Sequence, residues 1–395
     1  MVASVRERRP SVVHVTKASG LSGSERHLLS LLPALQALGW DVRAVVLEAS
    51  GGRSFVDALQ EAGIPTTALR AGPNLNPVAV ARLRAALTTV PTDLVHTHLL
   101  HADLHGQAAA RLAGLPGIST VHSAQAFFTK EPYRSAAALA QRSSRATIAI
   151  SQHVARCLLE ARVSVPEKLR VVHYGIAVEP WRVDVAATAA ARRLFAGDDD
   201  GRIVIGVASR LVAGKGHDVL LRAVGSIKAS GVELRLLVAG EGPRRGALER
   251  QAAAQGLSDD VRFLGFVPDM RSFLAACDVV AFPTQPEYGE GFGLAALEAM
   301  AAGRPLVATD VASLPEVVGS GEVPLVPPRD VHAMAEALVA LAADPGLRAR
   351  VGRANRRRVE ERFSLDAMAD GTARAYADVT ATARLARPDV PRGTA

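Results

Sequence analysis

Short apolar runs rich in Val, Ile and Thr alternate with longer stretches of helical periodicity along most of the chain. In the first half these runs predict strands at residues 11–16, 41–47, 66–69, 93–98, 117–122, 146–151 and 169–174. The stretch 25–39, between the first two runs, has the apolar spacing of a helix that ends at Gly39. Strands that alternate with helices predict a parallel, doubly wound sheet covered by helices on both faces.

The alternation pauses near residues 175–184 and then starts again. Strands of the second half are predicted at residues 202–209, 232–240, 261–265, 277–283, 305–310 and 322–328. A chain of 395 residues is too long for one ordinary core. We therefore predict an α/β protein with an N-terminal domain at 1–180 and a C-terminal domain at 181–363. A helix at 364–385 is expected to pack back on the first domain, and 386–395 is expected to be a disordered tail.

Two sheets of this kind place their ligand-binding residues at predictable positions. Ligands of open parallel sheets bind beyond the carboxyl ends of the strands. Two sheets whose carboxyl ends face each other would form a deep cleft between the domains, which is a common location for a site. A polar motif that directly follows a strand is therefore a candidate for ligand binding.

Composition narrows the class of protein and its partners. Hydrophobic residues make up 49% and charged residues 22% of the chain, a globular balance without a run that could span a bilayer. The first residues lack the apolar core of a signal peptide, and Cys157 and Cys277 have no CxxC partner, so we expect a reduced, cytoplasmic protein. The net charge of +7 favours acidic ligands or peripheral contact with the inner face of the membrane. Nucleic-acid binding is not expected, because only 4% of residues are aromatic and no basic run is interleaved with them.

A basic, glycine-containing loop follows the first strand of the second half. In "VASRLVAGKGHDVLL" (207–221) the glycines let the chain fold so that Arg210 and Lys215 converge on one anion. A nucleotide-binding P-loop is excluded, because Ser209 and Gly216 stand where that motif needs Gly and then Ser or Thr. The alternative is a pair of solvated surface charges, but the position after a strand favours anion binding.

Two glutamates follow another strand in "EYGEGFGLAALEAM" (287–300). Glu290 lies in the loop and Glu298 about one turn into the following helix. The first backbone N–H groups of that helix, near residues 292–294, are suited to an anion. The two carboxylates could form an acid/base pair, contact the hydroxyl groups of a sugar, or be ordinary helix charges.

The first half offers two weaker motifs. Gly20 and Gly23 follow the first strand and open a helix, but the dinucleotide fingerprint is incomplete, so a ligand loop and a tightly packed turn stay equally open. A histidine-rich segment with a further histidine downstream could hold a metal ion: His96, His98, His101, His105 and His122. No cysteine or HExxH frame supports zinc, so hydrogen-bonded packing histidines are favoured and no metal is predicted.

Taken together, these stretches resemble the family-4 retaining glycosyltransferases of GT-B fold. "EGFGLAALE" is similar to the E-x7-E signature of that family, and "SRLVAGKGHDVLL" to its R-x4-K-G segment. Residues 239–267 and 304–318 also resemble its second domain, and residues 20–42 resemble its first domain more loosely. One departure is "YGIA" at 174–177, where the family has Asn-Gly-Ile/Val-Asp.

The resemblance implies two Rossmann-like domains that face each other across a cleft. It also implies transfer of a hexose, with retention and without a metal or other cofactor, from a UDP- or GDP-linked donor. The acceptor would be a hydroxyl group of a glycan, a lipid-linked saccharide or a small natural product.

Site residues follow from the same resemblance. In the second domain Arg210 and Lys215 would hold the donor diphosphate, Glu290 the transferred sugar and Glu298 the ribose. Further donor contacts would come from Val267, Gly291, Phe292, Gly293 and Leu294. With Arg210, Lys215 and Glu290, His122 completes the predicted catalytic set.

In the first domain, Gly20 and Gly23 would lie near the diphosphate. His98 and Gly23 would contact the acceptor. These assignments are the least specific of the set, because the first domain resembles the family only loosely.

Two other functions compete with this one. A glycoside hydrolase would use Glu290 and Glu298 as its acid/base pair, which requires both carboxyls to flank one bond. A nucleotide-sugar-binding subunit without catalytic activity would keep the same motifs and support a partner.

Overall fold

The computed structural model describes residues 8–21, 23–48, 52–72, 76–123, 130–183, 185–197, 201–288 and 290–385, without the side chains of residues 185 and 383–385. The predicted tail at 386–395 lies outside the described residues. The chain divides into two compact units. Unit 1 runs to Tyr174 and takes up the chain again from Leu365, whereas unit 2 is Gly175–Ser364. The division therefore falls a few residues before the predicted position at 180.

Unit 1 is built on a seven-stranded parallel sheet with the order β3-β2-β1-β4-β5-β6-β7. Its strands are β1 (Ser11–Ala18), β2 (Asp41–Glu48), β3 (Thr66–Arg70), β4 (Leu94–His98), β5 (Gly117–Val121), β6 (Ala146–Ala149) and β7 (Leu169–Val171). The helices of this unit are α1 (Gly23–Ala37), α2 (Arg53–Glu61), α3 (Pro77–Thr88), α4 (Leu100–Leu112), α5 (Tyr133–Ser143) and α6 (Gln152–Glu160). The central strands β4 and β5 are buried along their whole length, as expected for a sheet covered on both faces.

The last helix of the chain also belongs to unit 1. It spans Leu365–Leu385 and packs against α1. Within the described residues, no helix combines the length and the hydropathy needed to cross a membrane.

Unit 2 has a five-stranded parallel sheet with the order β10-β9-β8-β11-β12. Its strands are β8 (Ile203–Ala208), β9 (Leu234–Ala239), β10 (Val261–Gly265), β11 (Val279–Phe282) and β12 (Leu306–Ala308). The helices are α7 (Val185–Phe195), α8 (His217–Ala229), α9 (Arg245–Ala254), α10 (Met270–Ala276), α11 (Leu294–Ala301), α12 (Leu314–Val318), α13 (Val331–Ala343) and α14 (Pro345–Arg362), so that the C-terminal helix becomes α15. One predicted strand is wrong. At 322–328 the structure has a single bridge between Thr309 and Val326, since the prolines of "EVPLVPP" cannot donate to a ladder.

Both sheets have a topological switch point at their first strand. In unit 1 the winding reverses between β1 and β4, and in unit 2 between β8 and β11. The loops that leave the carboxyl ends of these strands border a crevice where α/β sheets bind ligands. Arg210, Lys215 and Glu290 lie on the loops after β8 and β11, whereas Gly20 follows β1.

Candidate functional site

The loops after β8 and β11 come into close contact in unit 2. Gly216 directly precedes α8 and has φ of +74°, and an added Cβ there would lie 1.7 Å from the carbonyl oxygen of Pro283. Only glycine combines this left-handed backbone with so close an approach. The glycine therefore brings Lys215 against the loop that carries Glu290.

Three charged side chains and one tyrosine form the polar part of this site. The Nζ atom of Lys215 donates to Oε2 of Glu290 at 2.5 Å, and it lies 4.1 Å from the centroid of the Tyr288 ring. Arg210 donates from Nη2 to the Tyr288 hydroxyl at 2.9 Å. The Lys215 and Glu290 side chains are 9% and 14% exposed, whereas Arg210 is exposed. Tyr288 thus holds both cations of the motif, one by its hydroxyl and one by its ring face.

The amino end of α11 borders the same space. Gly293 precedes the helix with φ of +89°, and Gly293 and Leu294 line a cavity of about 180 Å³ together with Arg210, Lys215 and Glu290. The first N–H groups of a helix have no partner within it and carry a partial positive charge. The cavity therefore combines two cations and a helix amino end, which suits an anionic ligand.

A buried histidine lies directly behind Lys215. The Nε2 atom of His217 is 3.1 Å from the Ser209 hydroxyl. Burial, and then the charge of Lys215, lowers the pKa of His217 to about 4. At neutral pH this ring is uncharged, so the positive charge of the loop resides on Arg210 and Lys215.

Sequence reasoning missed Tyr288 and His217. His217 directly follows the Lys-Gly pair, and Tyr288 stands two positions before Glu290. The sequence signal that could have identified them is an aromatic or histidine residue close to a predicted charged residue in the same loop.

Other predicted donor contacts lie outside the charged cluster. Glu298 is half-buried on α11 and is not among the residues that line the cavity. The Phe292 side chain is buried and packs edge-on against Phe363, with ring centroids 5.6 Å apart. Gly291 and Val267 are also buried. Donor contacts by these residues stay predictions, and for Phe292 the packing leaves only its backbone available.

Unit 1 places its predicted residues around the carboxyl ends of β1, β4 and β5. Gly20 lies in the loop after β1 with φ of +154°, and a Cβ there would meet no atom within 4 Å. Gly23 is the exposed first residue of α1. Their contact with a diphosphate or an acceptor stays a prediction.

His98 and His122 use their ring nitrogens inside the unit. His98 is fully buried, with Nε2 at 2.9 Å from Nδ1 of His14 and Nδ1 at 3.0 Å from Nε2 of His122. The remaining nitrogen of His122, Nδ1, is 2.5 Å from the Tyr174 hydroxyl. A ring nitrogen of either residue can reach a ligand only if one of these bonds is broken, which argues against direct acceptor contact by His98.

Three histidine rings of unit 1 lie close enough together to be considered as metal ligands. His14, His96 and His98 each offer a nitrogen, and the three atoms lie within 4.8 Å of one another. Every ring nitrogen of the three already has a protein partner at hydrogen-bond distance. Hydrogen bonding alone therefore accounts for the cluster.

A larger cavity lies at the amino ends of the strands of the first sheet. Its volume is about 810 Å³, and it is lined by the amino ends of β5 and β6 with Arg111, Arg142 and Arg145. Arg111 and Arg142 are in the last turns of α4 and α5, where basic side chains offset the helix dipole. Because it opens away from the carboxyl ends of the strands, we do not place the ligand there.

Two family models match the chain. The model described as glycosyltransferase family 4 matches residues 21–180. The model described as glycosyl transferases group 1 matches residues 202–344. The second range contains the whole cluster of Arg210, Lys215, Tyr288 and Glu290.

Curated relatives and solved structures agree with these matches. A phosphatidyl-myo-inositol mannosyltransferase of Mycobacterium leprae is 30% identical over 336 residues, which cover 83% of this chain and 86% of that protein. A 2-deoxystreptamine glucosyltransferase of Streptomyces kanamyceticus is 32% identical over 265 residues, which cover 60% of this chain and 67% of that protein. HepE of Anabaena, solved in complex with UDP, superposes with a TM-score of 0.82 at 22% identity and covers 93% of this chain and 100% of that one. The predicted GT-B fold is confirmed, while the relatives differ in the sugar that their names give.

Proposed function

The chain belongs to glycosyltransferase family 4, and from that premise we propose that it moves a sugar from a nucleoside-diphosphate donor to a hydroxyl group of an acceptor. The proposed transfer retains the anomeric configuration and needs no metal ion. The proposed donor is UDP- or GDP-linked, and the acceptor is a glycan, a lipid-linked saccharide or a small natural product.

One observation carries the proposal, which is the contact between Lys215 and Glu290 beside Arg210 and the amino end of α11. Without a ligand, the ammonium and the carboxylate satisfy each other. A diphosphate that binds Lys215 and the helix end would displace Glu290. The freed carboxylate could then accept hydrogen bonds from sugar hydroxyl groups, so one charge pair would serve both halves of the donor.

The same geometry suits the chemistry of the transfer. The bond between the anomeric carbon and the phosphate oxygen breaks, and its electron pair leaves with the diphosphate. The acceptor oxygen forms the new bond to the anomeric carbon, and its proton passes to the leaving phosphate. Arg210, Lys215 and the N–H groups of α11 stabilise the charge that develops on the diphosphate, the task that a divalent metal performs elsewhere.

The hydrolase alternative receives less support from the structure. Glu290 is held by Lys215, and Glu298 does not line the cavity. A carboxyl pair for glycoside hydrolysis has to flank one bond. Release of free sugar from a glycoside in the absence of a nucleotide would favour the hydrolase over the proposal.

A thermal-shift screen with UDP-, GDP-, ADP- and TDP-sugars tests donor binding. A donor at 100 times its Kd should stabilise the protein by about 2.7 kcal/mol. The donor identified in this way is then incubated with candidate acceptors, and the product anomer is assigned by NMR. Donor binding with neither sugar transfer nor slow hydrolysis of the donor would indicate the inactive subunit. An inverted anomer in the product would contradict the retaining mechanism.

Chelation tests the metal-free part of the proposal. We expect EDTA to leave the transfer rate unchanged, because Arg210, Lys215 and the amino end of α11 already supply positive charge. The rate is measured with and without EDTA, followed by addition of Mg²⁺ or Mn²⁺. A rate that falls in EDTA and returns with either metal would overturn the metal-free mechanism.

A further inference from the structure

Four histidines of unit 1 are joined end to end with three hydroxyl groups, a set that we call the imidazole chain. In order, its members are Thr120, His96, Tyr376, His14, His98, His122 and Tyr174. The six contacts between successive members measure 2.7, 2.6, 3.2, 2.9, 3.0 and 2.5 Å. Both nitrogens of every ring are used, so the chain has no branch and no free ring nitrogen.

Ring geometry favours hydrogen bonds over a metal ion. The ring planes of His14 and His98 are within 6° of parallel, with centroids 5.2 Å apart and facing nitrogens 2.9 Å apart, so that the centroids and the two nitrogens lie nearly on one line. The two rings therefore meet end to end in one plane, which aims the lone pair of one nitrogen at the N–H of the other. A shared metal would instead need both lone pairs to point at a third position.

Proton counting restricts the protonation state. A neutral imidazole has one N–H donor and one acceptor nitrogen, so a ring that accepts at one end must donate at the other. Each contact needs one proton. The Tyr376 hydroxyl lies between two rings with a single proton, so it donates to one ring and accepts from the other, because accepting from both would leave its own proton without a partner. A direction fixed at one contact therefore fixes the direction at all the others. An imidazolium would donate from both nitrogens and so reverse the direction of every hydrogen bond between itself and Thr120. Thr120 would then accept from His96, and its own proton would have no acceptor among the described residues. Burial also lowers the pKa of His14 and His122 to about 3.

The two ends select one of the two directions. At one end, burial and then the charge of Glu25 raise the pKa of Tyr174, so the phenol stays protonated and its oxygen can accept from Nδ1 of His122. At the other end, Thr120 is buried, and among the described residues its hydroxyl is bonded to His96 alone. Thr120 then donates to Nε2 of His96, in agreement with the first end.

We propose that the imidazole chain holds all four histidines neutral in the Nδ1–H form, so that Tyr376 on the C-terminal helix is a positioning residue for His122 at the end of β5. His122 then meets any ligand as an uncharged ring of fixed orientation. Its use in transfer rests on the proposed function, whereas the tautomers do not. Four Nδ1–H rings can be told apart from unconstrained histidines, because the neutral ring of free histidine favours the Nε2–H form.

Long-range ¹H–¹⁵N spectra of the full chain, labelled with ¹⁵N-histidine, read these tautomers at pH 7. Single His→Gln variants assign the signals. We expect all four rings of the chain to be neutral and Nδ1–H. Mixed tautomers, an imidazolium signal, or shifts of His14, His96 and His98 on addition of Zn²⁺ to the folded protein would overturn the proposal.

Two variants test the coupling. Tyr174→Phe removes the acceptor at the end of the chain, so the four rings should respond together, and a mixture of tautomers would contradict the coupling. Tyr376→Phe removes the bridge, so the Nδ1–H of His96 loses its acceptor and the His96 signal should shift, while the other three rings keep Nδ1–H. Thr380→Val on the same helix is the control, because among the described residues its hydroxyl bonds only carbonyl groups of α15.

An unchanged His96 in Tyr376→Phe would also overturn the proposal. If Tyr174→Phe does not fold, Tyr376→Phe alone decides. Lack of sugar transfer by a wild-type protein with four Nδ1–H rings would contradict the proposed function and leave the tautomer assignment standing.

Discussion

The two units place polar groups at the ends of equivalent strands but use them in opposite ways. In unit 2, Lys215 and Glu290 carry full charges beside a cavity, and exposed Arg210 lies at its edge. In unit 1, His14, His96 and His98 are buried and their ring nitrogens are used internally. The first arrangement can exchange an internal partner for a ligand, whereas in the second a ring that gives up its partner leaves a buried nitrogen unsatisfied.

This difference separates groups that bind from groups that position. A charge pair beside a cavity loses little when an anion replaces one partner, because the lysine keeps an anionic partner and the released carboxylate can accept hydrogen bonds from the sugar. A buried imidazole that loses its neighbour is left with an unsatisfied polar atom, which costs about 1–3 kcal/mol. Ligand binding is therefore expected to rearrange the charged cluster of unit 2 and to leave the imidazole chain intact.

Acid should break unit 1 before unit 2. Burial lowers the pKa of six histidines in unit 1: to about 3 for His14 and His122, to about 4 for the partly buried His101, and well below 6.5 for His27, His96 and His98. A folded pKa below the unfolded value means that stability is complete above pH 6.5 and is lost as the pH falls. Each such histidine contributes a slope of about 1.4 kcal/mol per pH unit.

One carboxyl in the same unit acts in the opposite direction. Burial raises the pKa of Asp103 to about 7, so the folded unit gains stability as the pH falls from 7 towards 3.8. That gain offsets the loss from one histidine, and the losses from the other five remain. In unit 2, among the described residues, His217 is the one histidine with a lowered pKa, at about 4. Hydrogen exchange followed from pH 7 to pH 4.5 should show unit 1 losing protection first, and earlier loss in unit 2 would contradict the prediction.

Lys215→Ala should abolish most transfer. The substitution removes the cation that the cavity presents to the diphosphate, and loss of one preorganised donor of this kind lowers kcat by about 10²–10³-fold. Steady-state kinetics with the identified donor measure kcat/KM. An unchanged kcat/KM would remove Lys215 from the site.

A lysine on the same unit supplies the control. Lys228, in the last turn of α8, is half-exposed and pairs with Asp260 at 2.6 Å. Lys228→Ala should leave transfer unchanged. Thermal unfolding of both variants, with the double variant Lys215→Ala/Glu290→Ala, shows whether loss of activity is due to an unpaired Glu290 that destabilises unit 2.

How far the sequence predicted this molecule depends on the range of the interactions involved. Strand and helix periodicity is local, and it predicted the two parallel sheets and the loops that carry Arg210, Lys215 and Glu290. The imidazole chain depends on long-range contacts, such as the one between His14 and Tyr376, which are 362 positions apart. No local pattern could assign the partners of His98 or His122. The acceptor contact of His98 stays a prediction, which the hydrogen bonds of both its ring nitrogens argue against.

Two glycines test the approach of the two loops in unit 2. Gly216 and Gly231 have φ of +74° and +83°, but a Cβ would lie 1.7 Å from Pro283 O at the first and meets no atom within 4 Å at the second. Substitution by Ala at either position should cost about 1–2 kcal/mol for the left-handed backbone. At Gly216, overpacking should add about 1–3 kcal/mol and displace Lys215. Equal losses of unfolding free energy in urea titrations would show that the loops can move apart freely.

The smallest expected effect concerns the aromatic link between the two cations. Tyr288→Phe keeps the ring beneath Lys215 and removes only the hydroxyl that Arg210 bonds. One such hydrogen bond is worth about 1 kcal/mol, so kcat/KM should fall roughly fivefold and the unfolding temperature should fall by no more than a few degrees. Tyr288→Leu removes the ring as well and should lower kcat/KM further. If Tyr288→Phe were as damaging as Lys215→Ala, the hydroxyl would have to contact the donor itself, because the loss of an internal bond to an exposed arginine cannot produce an effect of that size.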